Sequence, residues 1–360
     1  MLPDLLYIGV TLSAVFILCV ARVIYIEVQR PPKSWTTFYG AATILSSNAS
    51  EILGQNRVNS SRYFEPYPIN HHKNLHFRSS MLRVDKDGIP LFNVNGRFYY
   101  HPVLISEFAL DSHANGIVRS DRTLEAFFIS CADWLRNNLK RHGKFHYWEY
   151  SFANPYSKKP SPVPWFSAMA QGQGTSVLVR AFWETGDKSF LDAARKAIRP
   201  LFYDVSEGGI STVKGRHYIF PEEYIPIKGI LNGAIYAYFG IRDFYRSTED
   251  EEAKQKADII LDSILKALPH YDTGFWSLYC VQPRYLASPH YHSLHIAQLR
   301  LLSQLRQDTE LLAFAERFEM YQNRSINRTR YVLANHMRQL KEFRLHDAKT
   351  VPGRVMKMIT

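Results

Sequence analysis

Cysteine is scarce. The 360 residues hold three, Cys19, Cys131 and Cys280, and no two stand in a C-x-x-C spacing. That excludes a thiolate zinc site and a disulfide framework. Also missing are a Lys/Arg-rich tract, a zinc-finger spacing and a recognition-helix pattern. The net charge of +11 implies an anionic partner, and without those patterns nucleic acid is the weakest choice, behind an anionic membrane surface or an acidic polysaccharide. No fixed sequence period is present, which argues against a stacked helical repeat. Gly172-Gln173-Gly174 has no strand before it, so it is not a phosphate loop. Charge is absent from Leu5–Ala21, and the segment before that run holds no Lys or Arg. A cleaved signal peptide would need both that basic segment and a small-residue cleavage site.

The uncharged run, extended past Arg22 by VIYI, is long enough for one membrane span. The expectation is a single-pass anchor over residues 1–27. Arg22, Arg30 and Lys33 would hold the rest on the cytoplasmic side; the other side rests on the weak cue of the N-terminal amine, and the short acceptor patterns at Asn48, Asn59, Asn323 and Asn327 barely shift the balance. The side is left open: a Golgi lumen in a eukaryote, a bacterial inner membrane otherwise. Residues 28–70 read as a polar linker with Pro31, Pro32 and a Ser/Asn run. Residues 71–100 read as β-hairpins, with strands MLRV, IPLFNV and RFYY around Asp87-Gly88 and Asn95-Gly96.

From 101 to 345 helical spacing dominates, with a tail over 346–360. Helices are expected at Asp121–Arg141, with Gly143 where a C-cap would fall, and at Ser167–Thr185, closed by Gly186. Further ones are expected at Lys188–Ile198 behind Asp187, and at Leu231–Tyr245, Asp250–Leu268, Tyr291–Leu305 and Thr309–Tyr321. Three helix hairpins in series imply a mainly α protein. The expected architecture is an α/α toroid (an incomplete α/α barrel), preceded by the β-hairpin region and one N-terminal transmembrane helix. The 22 Tyr, 22 Phe and 6 Trp suit sugar binding, where a ring packs on sugar C–H groups, and suit a helical core equally. They are dense in Tyr271–Gln298, a loop that runs into a helix and carries Tyr279, Arg284, Tyr285, Tyr291, His292 and His295.

Four ordered blocks resemble the heparosan/heparan-sulfate D-glucuronyl C5-epimerase family. They are Trp165–Gln173 running on to Ala181, Glu222-Glu223-Tyr224 with Leu231-Asn232-Gly233, Leu268–Gly274, and Tyr291–Leu299. A weaker match covers Gly88–Ala109. Animal members carry a β-sandwich after the hairpin region, and here Ala109 reaches Asp121 with no room for one. The resemblance implies a C-terminal catalytic domain that needs no cofactor and converts D-glucuronate to L-iduronate in an acidic polysaccharide. It implies proton transfer by Tyr224, Tyr279 and Tyr291, with Glu223 beside them. A homodimer is left open.

C5 epimerisation removes a proton α to a carboxylate and returns one on the opposite face, so the carboxylate charge must be offset. A tyrosine base needs a neighbour that lowers its pKa from about 10. Arg284 is the clamp expected for the carboxylate, or else a surface arginine. Asn232 would bind sugar hydroxyls or cap the helix that follows. His292 is assigned to substrate binding. With His295 it has a spacing that metals can use, yet no acidic or Cys partner accompanies the pair, and core packing is favoured. Two alternatives use the same residues: a polysaccharide lyase beginning with the same proton abstraction, and a membrane-tethered carbohydrate-binding protein without catalysis.

Overall fold

A computed structural model of the chain describes residues 43–44, 67, 69–70, 82–155, 162–225 and 227–350. The expected anchor over residues 1–27 and most of the linker lie outside these. Among the described residues no helix is long and apolar enough to cross a membrane.

The hairpin region forms where the turn residues put it. Strands β1 (Leu82–Val84), β2 (Pro90–Val94) and β3 (Arg97–Tyr100) make an antiparallel meander. Asn95 and Gly96 both take positive φ, 51° and 85°, as a two-residue hairpin turn requires. The sheet leans on the first helix through β2.

The rest is mainly helix with short two-stranded ribbons. Helices α1 (Pro102–Arg119), α2 (Arg122–Asn137), α3 (Ala168–Thr185), α4 (Lys188–Ile198), α5 (Leu231–Thr248), α6 (Glu251–Tyr271), α7 (Pro289–Arg306) and α8 (Thr309–Asn323) pair consecutively as hairpins. Helix α9 (Ser325–Thr350) packs on α8. The inner layer is α1, α3, α5 and α7, each touching the next; the other member of each pair lies outside. That makes four pairs where three were expected. The extra hairpin is α1–α2: a helix from Asp121 is expected from sequence, and the added element is Pro102–Arg119 before it. This is a layered arc of helix pairs.

Burial follows from sequence. In α3 every residue from Ala168 to Ala181 is buried, as in a helix packed on all sides, whereas outer α4 buries only Phe190, Ala193, Ala194, Ala197 and Ile198. Small residues set the α3–α5 approach: a Cβ on Gly172 would collide with the backbone of Tyr236 and Ala237, and one on Gly240 with Gly172. A fully buried ion pair, Arg180–Asp243 at 2.6 Å, ties the same two helices, with Tyr67 under the guanidinium. Ser167, Asp187, Asp250, Ser288 and Asp308 each cap a helix start by accepting a backbone N–H.

One boundary differs from expectation. The helix predicted to reach Arg141 ends at Asn137, because Lys140–His142 and Phe145–Tyr147 form a ribbon, β4–β5, turning at Gly143. Glu149 holds that ribbon through Lys140 and His142, so Gly143 is a hairpin turn and not a helix cap.

Candidate active site

All four inner helices start on one side of the arc, and a cleft of about 210 Å³ opens there. Its walls come from the residues that begin each helix: His101 and Glu107 at α1, Trp165 and Met169 at α3, Glu223 and Tyr224 just before α5, and Tyr279 and Tyr291 around the start of α7. The helix N-termini that reach this space add partial positive charge to a lining that also carries the carboxyls of Glu107 and Glu223.

Three loops bring the tyrosines together. Glu222 to Tyr224 follow strand β7 (Ile219–Pro221), which pairs with β6 (Ser211–Val213). Tyr279 precedes strand β9 (Cys280–Gln282), which pairs with β8 (Lys228–Ile230); the Leu231 N–H bonds to the Tyr279 carbonyl. Tyr291 stands in the first turn of α7, its N–H bonded to the cap hydroxyl of Ser288. The Tyr224 and Tyr279 hydroxyls are 3.5 Å apart, and the Tyr279 and Tyr291 rings lie 4.8 Å apart, tilted by 49°. Trp165, stacked on Tyr150 at 3.8 Å, backs Tyr224 edge-on.

Electrostatically the cleft departs from expectation: among the described residues its lining holds no Lys or Arg. Burial and the nearby Glu223 push the Tyr224 and Tyr279 hydroxyls well up, so both are neutral donors. Glu223 is the group poised to titrate. Burial and the charge of Glu107 raise its carboxyl to about 8, with contact to the Tyr279 hydroxyl offsetting part of the rise. Its Oε2 is buried and has no hydrogen-bond partner. Gly233, in the first turn of α5, makes room for it: a Cβ there would come within 2.7 Å of the Glu223 Cβ. The Glu-Glu-Tyr and Leu-Asn-Gly blocks are therefore two halves of one contact.

Glu222 and Glu223 point to opposite sides. Glu222, 3% exposed, accepts from Thr212 Oγ1 at 2.6 Å and the Gly229 N–H at 2.7 Å, in a different cavity. Arg284 is exposed and lines that second cavity, not the tyrosine cleft, because β9 turns it away; its expected role as clamp finds no support in its position. Asn232 is buried in the first turn of α5, where Ile230 holds the cap position, so it caps nothing; its Oδ1 has no partner and its carbonyl accepts from Gln298. His292 is wholly buried, stacked on Trp276 at 3.9 Å, with its Nε2 against the Phe318 carbonyl and its Nδ1 against the Ser277 hydroxyl. Burial drops its pKa to about 3. It is a neutral core residue outside the lining of the tyrosine cleft, so its position does not support the expected role in substrate binding. His295 shares Ser277 with it. Among the described residues no His, Cys, Asp and Glu cluster could hold a metal.

The sequence reading missed Glu107, His101 and Tyr150. Glu107 lies inside the weakly matched Gly88–Ala109 stretch, where its place one turn into a helix was the available signal.

The family described as D-glucuronyl C5-epimerase C-terminus matches residues 141–320, half of the chain, and the chain belongs to it. A D-glucuronyl C5-epimerase of Caenorhabditis elegans is 31% identical over 219 residues, covering 54% of this chain and 34% of its own length. An uncharacterized protein of Methanocaldococcus jannaschii is 31% identical over 184 residues, 49% of this chain and 58% of its own. The matches thus span a third to just over half of these relatives. Among solved structures, a D-mannose isomerase superposes with a TM-score of 0.44 at 10% identity, covering 67% of this chain and 64% of that one.

Proposed function

We propose that the protein is a carbohydrate C5-epimerase that inverts D-glucuronate to L-iduronate within an acidic polysaccharide. The observation that carries this reading is the meeting of Tyr224, Tyr279, Tyr291 and Glu223 in one cleft, on a chain of the epimerase family. The arc of helix pairs is read as an incomplete α/α toroid open at that cleft, and the N-terminal apolar run as the tether to a membrane.

The chemistry follows from the unusual carboxyl. Tyr279 takes the C5 proton on its hydroxyl oxygen while its own proton passes to Glu223, whose raised pKa makes it an adequate acceptor. The tyrosinate never has to exist alone, so no cationic neighbour is needed. Tyr224 or Tyr291 returns a proton to the other face, and the proton held on Glu223 passes back through the Tyr279 hydroxyl, 3.5 Å from that of Tyr224, to replace it, so the cycle ends with the tyrosines neutral and Glu223 ionised. The helix N-termini stabilise the enolate-like charge on the substrate carboxylate, the part expected of Arg284.

The test is product analysis. A glucuronate polymer incubated with the full chain in D2O is followed by NMR. Iduronate formation with deuterium at C5 supports the proposal. An unsaturated product absorbing in the near ultraviolet means a lyase, and binding without exchange means a carbohydrate-binding protein.

A further inference from the structure

The second cavity, about 430 Å³, is roughly twice the tyrosine cleft and backs onto it. The ribbon β8–β9 is the wall between them. Ile230 and Cys280 face the cluster around Tyr224 and Trp165, while Gly229 and Val281 face Tyr271 and the second cavity. Two close pairs in sequence are thus split across the wall: Glu223 from its neighbour Glu222, and Tyr279 from Val281 two residues on.

The lining has an unusual balance of charge. Lys214, Lys228, Lys266 and Arg284 ring the mouth, all exposed. None of the four makes an ion pair among the described residues. Elsewhere several half-buried or exposed arginines are paired: Arg136 with Asp187, Arg199 with Glu252, Arg300 with Glu319, Arg317 with Asp272. The one carboxylate in the lining, Glu222, is sunk beneath the surface with both oxygens occupied by Thr212 and Gly229. Four cations without an ion pair repel one another, only Lys228 lying near enough to the carboxyls of Glu222 and Asp204 to feel them, and an anionic ligand relieves that repulsion. The walls also carry Tyr218 and Phe220, ring surfaces on which sugar C–H groups pack, and the Gln282 side chain for hydroxyls. Cations with ring faces and an amide suit an acidic saccharide better than a bare inorganic ion.

We infer that this cavity is a second saccharide-binding site, which holds carboxylate- or sulfate-bearing sugars of the polymer away from the reacting residue. The inference rests on the reading of the tyrosine cleft as a site for an acidic polysaccharide. Because the two cavities share a wall and not an opening, a long chain occupies both and a short one only the cleft. The second site therefore raises affinity for long chains through effective concentration, without altering the chemical step.

The experiment uses the full chain and the triple variant Lys214→Gln/Lys228→Gln/Lys266→Gln. Lys86→Gln/Lys188→Gln/Lys196→Gln, exposed lysines outside both cavities, removes the same charge as a control. The probes are an unsulfated glucuronate-containing decasaccharide, its sulfated counterpart, a glucuronate-containing trisaccharide, and phosphatidylserine vesicles. Binding is read by fluorescence anisotropy or co-sedimentation, with thermal melts to confirm folding. The expected result is about a tenfold loss of decasaccharide affinity in the cavity variant, little change in the control, and unchanged trisaccharide binding. Whether the larger loss falls on the sulfated or the unsulfated chain identifies the group that is held. Equal loss in both variants means bulk charge and overturns the inference, as does undiminished decasaccharide binding. Loss of vesicle binding alone assigns the cavity to lipid and also overturns it. Because binding is measured without turnover, a wild type that binds saccharide but exchanges no C5 proton would sink the epimerase reading and leave this one standing.

Discussion

Glu223 is ionised or neutral according to what surrounds it, and two consequences can be measured. Its folded-state pKa, about 8, lies above the usual carboxylate value, so the folded protein binds this proton more tightly than the unfolded chain. The associated stability is complete below about pH 4.3 and is lost as pH rises through about 8. Glu223→Gln, neutral at every pH, is therefore expected to gain stability relative to the wild type between those values and to hold a constant lead above them. Thermal melts over pH 4 to 9 check this; a lead that does not change with pH contradicts the assignment. Its C5 exchange is expected to fall about 100-fold, since Gln cannot accept the relayed proton. Gly233→Ala crowds the same carboxylate from α5. Despite the better helix propensity of Ala, it is expected to cost about 1–3 kcal/mol in urea unfolding and to lower exchange. Tyr285→Phe is the quiet comparison: that ring packs on the cluster under the cleft but does not line it, so exchange should stay near normal.

Among the elements, capping residues and hydrophobic spacing made α3, α4, α6 and α8 legible nearly to the residue, because Ser167, Asp187, Asp250 and Asp308 are local signals that burial does not override. The hairpin strands were legible for the same reason at Asn95-Gly96. What could not be read depends on tertiary placement. The direction of Arg284 is set by how the ribbon β8–β9 divides two cavities. The role of His292 is set by Trp276 and Phe318, which come from different parts of the chain. Glu222 and Glu223 look alike in sequence and differ only in which side of the wall each faces. The α3–α5 contact joins two of the inner helices at close range. Asp243→Ala leaves Arg180 charged in the core and is expected to cost about 3–5 kcal/mol in urea unfolding. Removing an exposed partner such as Glu252 should cost about 1 kcal/mol or less.

At the scale of the molecule, the cleft, the basic second cavity and the net charge of +11 suit a long anionic polymer. Affinity for such a polymer is expected to fall as salt rises from 0.05 to about 0.5 M, because exposed charges are screened over the Debye length. Binding that ignores salt would mean the basic surface is not used. The central claim is that the tyrosine cleft moves the C5 proton. Its most direct measurement is C5 deuterium incorporation in D2O, starting from glucuronate and separately from iduronate, with the wild type and with Tyr224→Phe, Tyr279→Phe and Tyr291→Phe. Each substitution removes one hydroxyl and keeps the ring, at a stability change of about 1 kcal/mol or less. The account predicts exchange from both epimers in the wild type. It predicts a loss of about 100-fold or more in Tyr279→Phe, and unequal losses from the two epimers where Tyr224 or Tyr291 serves only one face. Near-normal exchange in all three folded variants would contradict it.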